Sequence, residues 1–302
     1  MTTNRFTKDD KLILTNLKKV FWPAEGYTKG DLIEYYRAVA PVIVPYLIDR
    51  RQVLHRHVDG HTGKEFYQRV SRSSPRWIQT VELSLDDSRK VRDYHLCQDW
   101  PTLLWMANFG CIELIPWNSR VGSLDRPDYL VIDLDPDDVP FTAVVDAALA
   151  IRKVFDNTGV ESYCKTSGKR GLHVYVPLAR AYTHEQAKAV SELVAQTVHR
   201  QLPATTSLDI RTEKRKGLIY LDRTRNAQGQ AVAVAYCVRP YPGATVSCPL
   251  KWSDVGKKLD PSKFTIKTMP QRIEKLGDLW QGVLGPGMNI GDWLQRFQKM
   301  NK

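Results

Sequence analysis

A chain of 302 residues with 42% hydrophobic and 25% charged residues has the make-up of a soluble globular protein with a sizeable core, and its net charge of +11 favours polyanionic partners, nucleic acid being the commonest. Its longest apolar stretches, such as Pro41 to Ile48, fall far short of the ~20 residues a membrane helix needs, and its N-terminus lacks the apolar core of a signal peptide. Five scattered cysteines (Cys97, Cys111, Cys164, Cys237 and Cys248), with no C-x-x-C pair, argue for a reducing compartment, against a disulfide framework and against a zinc site.

Basic and aromatic residues sit side by side from early in the chain, as in Lys18-Lys19-Val20-Phe21-Trp22 and Arg76-Trp77, which suits a folded binding groove. A Thr-x-x-Asp cap at Thr28 opens a helix to about Ala40, with Leu32, Ile33, Tyr36 and Val39 on one face. Residues 49–125 are aromatic, irregular and turn-rich, and no element is assigned there. Tyr129 to Ile132 are apolar and rich in β-branched and aromatic types, so they begin a buried strand that reaches Asp135 and ends at Pro136, which has no N–H for a ladder. A helix over about 142–157 carries Val144, Ala148, Ile151 and Phe155 on one stripe. Strands at 161–166 and 172–178 flank the turn Ser167-Gly168-Lys169-Arg170-Gly171. A capping box of Thr183 and Gln186 opens a helix that runs to Leu202, before Pro203, and Leu218 to Asp222 forms a last strand.

That order, β-α-β-β-α-β, is the split βαβ unit of RRM-like and ferredoxin-like sheets, and it predicts an α+β fold. In this topology the first and third strands are central and antiparallel, and the fourth lies beside the first. The end of the first strand then faces His173 and Asp222.

Side chains alternate along a strand, so Asp133 and Asp135 share a face about 6–7 Å apart. Two such carboxylates repel each other unless a cation lies between them, and hard oxygen ligands suit Mg²⁺ or Mn²⁺. Joined by Asp222 in a basic protein, they suit phosphoryl transfer with one or two divalent ions. The Ser167–Gly171 turn adds backbone N–H groups, a hydroxyl and two cations, although a hairpin needs glycine in any case and the sequence is not a P-loop. Asp222 is bracketed by Arg215, Arg223 and Arg225, and beside a triphosphate these would clamp anionic oxygens. A phosphatase of the haloacid-dehalogenase type also ends a strand in Asp-x-Asp, but that motif continues Gly-Thr or Gly-Val, whereas here Pro136-Asp137 follows. A non-catalytic RRM-like module usually carries aromatics on its central strands, and bare carboxylates would repel its phosphates.

Taken together, Val131-Ile-Asp-Leu-Asp-Pro136, Ser167-Gly-x-x-Gly-x-His-Val174 and Tyr220-Leu-Asp-x-x-Arg-Asn226 resemble the three catalytic motifs of the archaeo-eukaryotic primase superfamily. The likeness is closest to the polymerase domain of the bacterial and archaeal non-homologous end-joining apparatus, often fused to ligase D. Leu14 to Leu32 is similar to that family's N-terminal signature and Arg239 to Trp252 to its C-terminal one, so nearly the whole chain is covered.

The resemblance implies a primase-polymerase fold in one domain, 1–302, with a mixed α/β DNA-end-binding subregion at 1–125 and a catalytic subregion at 126–302. It implies a stand-alone template-directed nucleotidyltransferase that fills gaps at broken DNA ends. Asp133, Asp135 and Asp222 would hold two ions, Mn²⁺ or Mg²⁺. Ser167, Arg170, His173, Arg215, Arg225 and Arg239 would contact the nucleoside triphosphate. Asn16, Lys19 and Lys29 would grip a 5′-phosphate on the downstream strand, and Phe66 and Tyr67 would stack on template bases. The family typically prefers ribonucleotides and works well with Mn²⁺. The partners implied are gapped or broken DNA, Ku and a separate DNA ligase, in a prokaryotic cytoplasm at the nucleoid. The chain ends at Lys302, leaving no room for a ligase or nuclease domain. Many members carry a histidine after the Ile/Leu-Glu-Leu segment, where this chain has Ile115.

Overall fold

The computed structural model describes residues 12–68, 74–84 and 91–300. β1 (Val20–Trp22) and β2 (Tyr27–Thr28) form a short hairpin that leads into α1 (Lys29–Ile43). Thr28 and Asp31 make the expected capping box, and α1 continues past Pro41, three residues beyond the expected end.

The stretch 49–125 is more regular than its sequence suggests. β3 (Gln52–His57) and β4 (Glu65–Gln68) form one hairpin, and β5 (Thr80–Ser84) and β6 (Val91–His95) another. α2 (Trp100–Asn108) packs on α1, and β7 (Cys111–Pro116) joins the free edge of β3 to give a sheet ordered β4-β3-β7. β8 (Ser119–Arg120) and β9 (Ser123–Pro127) complete this part. These strands are six residues long at most, too short to display an alternation that stands out from the loops around them.

The second half is built from β10 (Tyr129–Pro136), α3 (Phe141–Asn157), β11 (Tyr163–Thr166), β12 (Leu172–Pro177), α4 (His184–Gln201), β13 (Thr206–Ser207), β14 (Ile219–Asp222) and β15 (Pro249–Leu250). They form one sheet ordered β13-β14-β10-β12-β11-β15. The middle four strands are antiparallel throughout, in the order expected of a split βαβ unit. The unexpected edge strands are two residues each, β13 parallel to β14 and β15 antiparallel to β11. This antiparallel sheet also removes the phosphatase reading, which needs a doubly wound parallel one. α5 (Met269–Leu276) and α6 (Ile290–Met300) close the chain.

α3 and α4 pack on each other and on β10 and β12, with the stripe Val144, Ala148, Ile151 and Phe155 fully buried. The N-terminal part meets the sheet at its start, where buried Arg50 stacks over Tyr129 at 5.1 Å and pairs with Asp128. Trp280 packs edge-on against Tyr175 at 4.9 Å. One cluster of buried apolar side chains runs from Phe21 and α1 through the sheet to Trp293.

β14 pairs with β10 only from Asp133 to Pro136, which leaves the backbone of Val131 without a neighbouring strand on that side. The Asn226 amide takes that place: its Oδ1 accepts from the Val131 N–H at 2.8 Å and its Nδ2 donates to the Val131 carbonyl at 2.7 Å. One buried side chain thus extends the sheet by a residue and fixes the turn after Asp222. Among the described residues no helix is long and apolar enough to cross a membrane, and all five cysteines are buried and unpaired.

Candidate active site

The strand register places Lys165 (β11), His173 (β12), Asp133 (β10) and Asp222 (β14) in a single row across the sheet. Asp135 stands two residues further along β10, on the same face. His173 and Asp133 of the row, with Asp135, line a cleft of about 370 Å³, walled by Ser167, Lys169 and Arg170 of the turn, by Arg225 and Arg239, and by Tyr67, Glu113 and Ile115 from the N-terminal sheet.

Asp133 faces His173 Nε2 at 3.3 Å and Arg225 Nε at 3.5 Å. Burial would raise its pKa, but His173, Arg225 and Lys165 outweigh burial and hold it at about 2. Asp135 goes the other way: burial and the neighbouring Asp133 charge raise it. Asp222 is buried, and its Oδ1 accepts from the Thr224 N–H at 2.8 Å and the Thr224 hydroxyl at 2.6 Å. Its Oδ2 faces Arg225 Nε at 3.2 Å, so one guanidinium lies between two carboxylates without making a hydrogen bond through Nε. A positive charge is therefore already drawn into the space between Asp133 and Asp222, and the 40% exposed Arg225 side chain has room to leave it. A donor set of carboxylate oxygens alone fits hard divalent ions, Mg²⁺ or Mn²⁺.

The expected triphosphate contacts divide into two groups. Ser167, Arg170, His173, Arg225 and Arg239 all line the cleft. Arg215 is not among its lining residues: its guanidinium lies over Tyr220 at 4.2 Å and approaches Asp135 at 3.8 Å, alongside β14. Within the turn, Ser167 Oγ accepts from the Lys169 and Gly171 N–H groups, which leaves its own proton to donate. Gly168 has φ +74°, and a Cβ there would come within 2.5 Å of Arg239 Cγ. A Cβ at Gly171 would run into the Leu134 carbonyl, so both glycines are required by packing before any ligand is considered.

Asn16, Lys19 and Lys29 lie together, away from the cleft, on the turn before β1 and the start of α1. The Lys19 N–H donates to the Asn16 carbonyl at 2.9 Å and the Lys29 N–H to the Lys19 carbonyl at 2.8 Å. Burial lowers the Lys29 pKa, and the neighbouring charges of Lys19 and Arg56 lower it further. Phe66 and Tyr67 are adjacent on β4 and so point to opposite faces. Tyr67 reaches the cleft, whereas Phe66 lies against Arg56 at 5.0 Å.

The family model described as "LigD, primase-polymerase domain" matches residues 28–280. The chain belongs to that family. As a LigD primase-polymerase domain it is a nucleotidyltransferase. It is 31% identical over 272 residues to the bifunctional non-homologous end joining protein LigD of Bacillus subtilis, a match covering 88% of this chain and 43% of that protein. It is 28% identical to the multifunctional LigD of Mycolicibacterium smegmatis over 96% of this chain and 38% of the relative. The chain thus spans less than half the length of these curated relatives. In fold it is similar to the polymerase domain from Mycobacterium tuberculosis ligase D, solved in complex with DNA. That likeness has a TM-score of 0.84 at 24% identity and covers 92% of this chain and 99% of that one.

Two residues in and beside this cleft were not singled out from the sequence. Glu113, a lone carboxylate in the apolar run of β7, accepts from Arg239 Nε at 2.8 Å and meets His55 Nδ1 at 2.6 Å. Burial pushes it up, but His55 and Arg239 bring it down to about 2, and Arg239 in turn donates to the Ser167 carbonyl. Lys165 is the other. Fully buried, it offers its three N–H groups to His173 Nδ1 at 2.8 Å, the Ala233 carbonyl at 2.9 Å and Ser247 Oγ at 2.7 Å. Burial and Arg239 press its pKa down to about 7, and burial and Lys165 press His173 down to about 4. His173 is therefore a neutral imidazole whose Nδ1 accepts from Lys165, with the proton assigned to Nε2, facing Asp133.

Replacing Lys165 with methionine removes the cation that, after burial, does most to lower the His173 pKa, so that pKa rises. Imidazolium then forms beside the carboxylates at a pH where the wild type has none, opposing the binding of cations. The acid limb of the pH–rate profile for nucleotide addition is expected to move to higher pH, and an unmoved limb would contradict this role.

Proposed function

We propose that the protein fills gaps at broken DNA ends by template-directed nucleotide addition during non-homologous end joining. Asp133, Asp135 and Asp222 hold two divalent ions, Mn²⁺ or Mg²⁺. The observation that carries this reading is the row Lys165-His173-Asp133-Asp222, whose His173 and Asp133 open onto a cleft lined with basic groups. Such ions lower the pKa of an attacking hydroxyl and neutralise leaving pyrophosphate. The chain's own residues do the positioning. His173, set by Lys165, orients Asp133. Arg225 moves from between the aspartates towards the incoming triphosphate. Ser167 offers its hydroxyl, Arg170 its exposed charge, and Arg239, braced by Glu113, holds the turn against the nucleotide. Arg215 acts through Asp135.

Asn16, Lys19 and Lys29 form the 5′-phosphate site. A terminal phosphate carries close to two charges, and lysines suit it as point charges. Lys19 now pairs with Asp59 at 2.6 Å, an exposed pair that DNA would exchange for its phosphate. Tyr67, facing the cleft, stacks on a template base, a contact worth about 1–3 kcal/mol. Phe66 supports a second base from the other side of β4. In the cell the enzyme acts in the cytoplasm at the nucleoid, alongside Ku and a DNA ligase activity.

Primer extension across a short gap bearing a recessed 5′-phosphate tests the reading, with ribo- and deoxyribonucleoside triphosphates supplied separately and either Mn²⁺ or Mg²⁺ present. Extension is expected, faster with the ribonucleotides and with Mn²⁺. No extension from any pool would contradict it. The double substitution Lys19→Ala with Lys29→Ala is expected to reduce the preference for 5′-phosphorylated over unphosphorylated gaps by roughly tenfold, about 1.4 kcal/mol. Fluorescence anisotropy on the two substrates reads that ratio, and an unchanged ratio would place the phosphate elsewhere.

A further inference from the structure

The β3–β4 hairpin carries a cluster that the polymerase reading leaves unused. His55 and His57 alternate along β3 and so share a face, and the register sets Glu65 directly opposite His57. His55 Nε2 lies 3.2 Å and His57 Nε2 3.7 Å from the same oxygen, Glu65 Oε2. Both imidazoles are buried, at 3% and 1% exposure. Among the described residues, His55 Nε2 and both nitrogens of His57 have no hydrogen-bond partner. Buried polar atoms are rarely left in that state, and three of them gathered beside one carboxylate need a common explanation.

We propose that His55 Nε2, His57 Nε2 and Glu65 Oε2 form a second metal site, for a divalent transition ion of the zinc class, separate from the aspartate centre. Two imidazoles and a carboxylate are the ligand types such an ion takes, whereas Mg²⁺ prefers oxygen alone. All three donor atoms lie within 4.8 Å of one another. Metal–ligand bonds of about 2.0–2.2 Å at tetrahedral angles put neighbouring donors roughly 3.4 Å apart, and the two separations from Glu65 bracket that value. The outer shell is built as well. His55 turns its other nitrogen to Glu113 Oε1 at 2.6 Å, the carboxylate–histidine arrangement that fixes ring and tautomer at metal sites. The Tyr67 ring stacks on His55 at 4.2 Å, while Glu65, 58% exposed, leaves one side open for entry and for a water ligand. The cysteine pattern spoke against zinc, but this site uses none of the cysteines. Through His55 and Glu113 it reaches Arg239, so an ion here would brace the cleft wall that carries Tyr67.

Metal-stripped protein titrated with Zn²⁺, in competition with a chromophoric chelator, tests this without recourse to activity. The wild type is expected to bind one tight Zn²⁺ per chain, and Co²⁺ in its place to give the strong visible bands of a four-coordinate site. His57→Ala and Glu65→Gln are each expected to weaken Zn²⁺ by at least about 100-fold, beyond the 10–100-fold that loss of an outer-shell partner costs. Asp135→Ala should keep the tight site. Unchanged Zn²⁺ affinity in both hairpin variants, or loss of the tight site in Asp135→Ala alone, would overturn the proposal. Glu65 is exposed, so its glutamine variant decides the matter should His57→Ala fail to fold.

Discussion

Asp133→Ala is expected to slow nucleotide addition by on the order of 10³-fold or more, about 4 kcal/mol of transition-state stabilisation, while DNA binding survives. Asp133 stands at the centre of the row, with His173 on one side and Asp222 on the other. Its pKa of about 2 keeps it ionised at any working pH. Alanine removes that fixed charge, leaves the His173 Nε2 proton facing no acceptor, and frees Arg225 to close on Asp222 alone. Asp222→Ala is expected to match it, because Asp222 carries the other carboxylate that Arg225 spans. Neither change touches Lys19, Lys29 or Tyr67, so affinity for a gapped duplex stays within a few-fold. Extension rates and anisotropy on the same preparations separate the two effects. Variants that extend as fast as the wild type would dissolve the assignment of the aspartates, and variants that lose DNA binding would show that the loss of activity is not a loss of chemistry.

The second large effect is on stability. Asn226→Ala strands the Val131 N–H and carbonyl, which have no strand beside them, and removes a donor to Ser191 Oγ at 3.1 Å. A buried group left without its partner costs about 1–3 kcal/mol, so the two Val131 groups together predict a loss of roughly 2–6 kcal/mol. Asn226→Asp keeps the acceptor but turns the donor into a buried carboxylate against a carbonyl, so it is expected to be no better. Urea unfolding reads both, and a loss below about 1 kcal/mol would mean that water or a shifted backbone satisfies Val131. The turn that Asn226 anchors also carries Arg225, so activity at a temperature where the variant stays folded is expected to fall as well.

The catalytic half was legible because its elements are long and strongly patterned. Val144, Ala148, Ile151 and Phe155 mark one face of α3, and both expected capping boxes, at Thr28 and Thr183, are present. The order of those elements was enough to place Asp133 between His173 and Asp222, since a split βαβ unit allows few other arrangements. The N-terminal sheet was not legible, because β3, β4 and β7 are short and come together from separate parts of the chain. Glu113 and His55 belong to that sheet, and their pairing is a long-range contact with no local signal. Lys165 did leave one: a lysine in the middle of a strand must find acceptors wherever that strand is buried, and here it finds three. Arg215, close to Asp222 in sequence, reaches Asp135 by lying over Tyr220, a placement that its sequence position alone does not give. In Phe66 and Tyr67 the strand alternation itself argues that neighbours cannot share a face.

In a template-directed polymerase the template base chooses the nucleotide. Single-nucleotide incorporation into a gapped duplex, measured opposite each of the four template bases in turn with all four triphosphates competing, tests that claim most directly. The predicted result is that the added base follows the template in every case and that Asp135→Ala adds none. Incorporation that ignores the template base, or release of inorganic phosphate from the triphosphates without any addition, would contradict it.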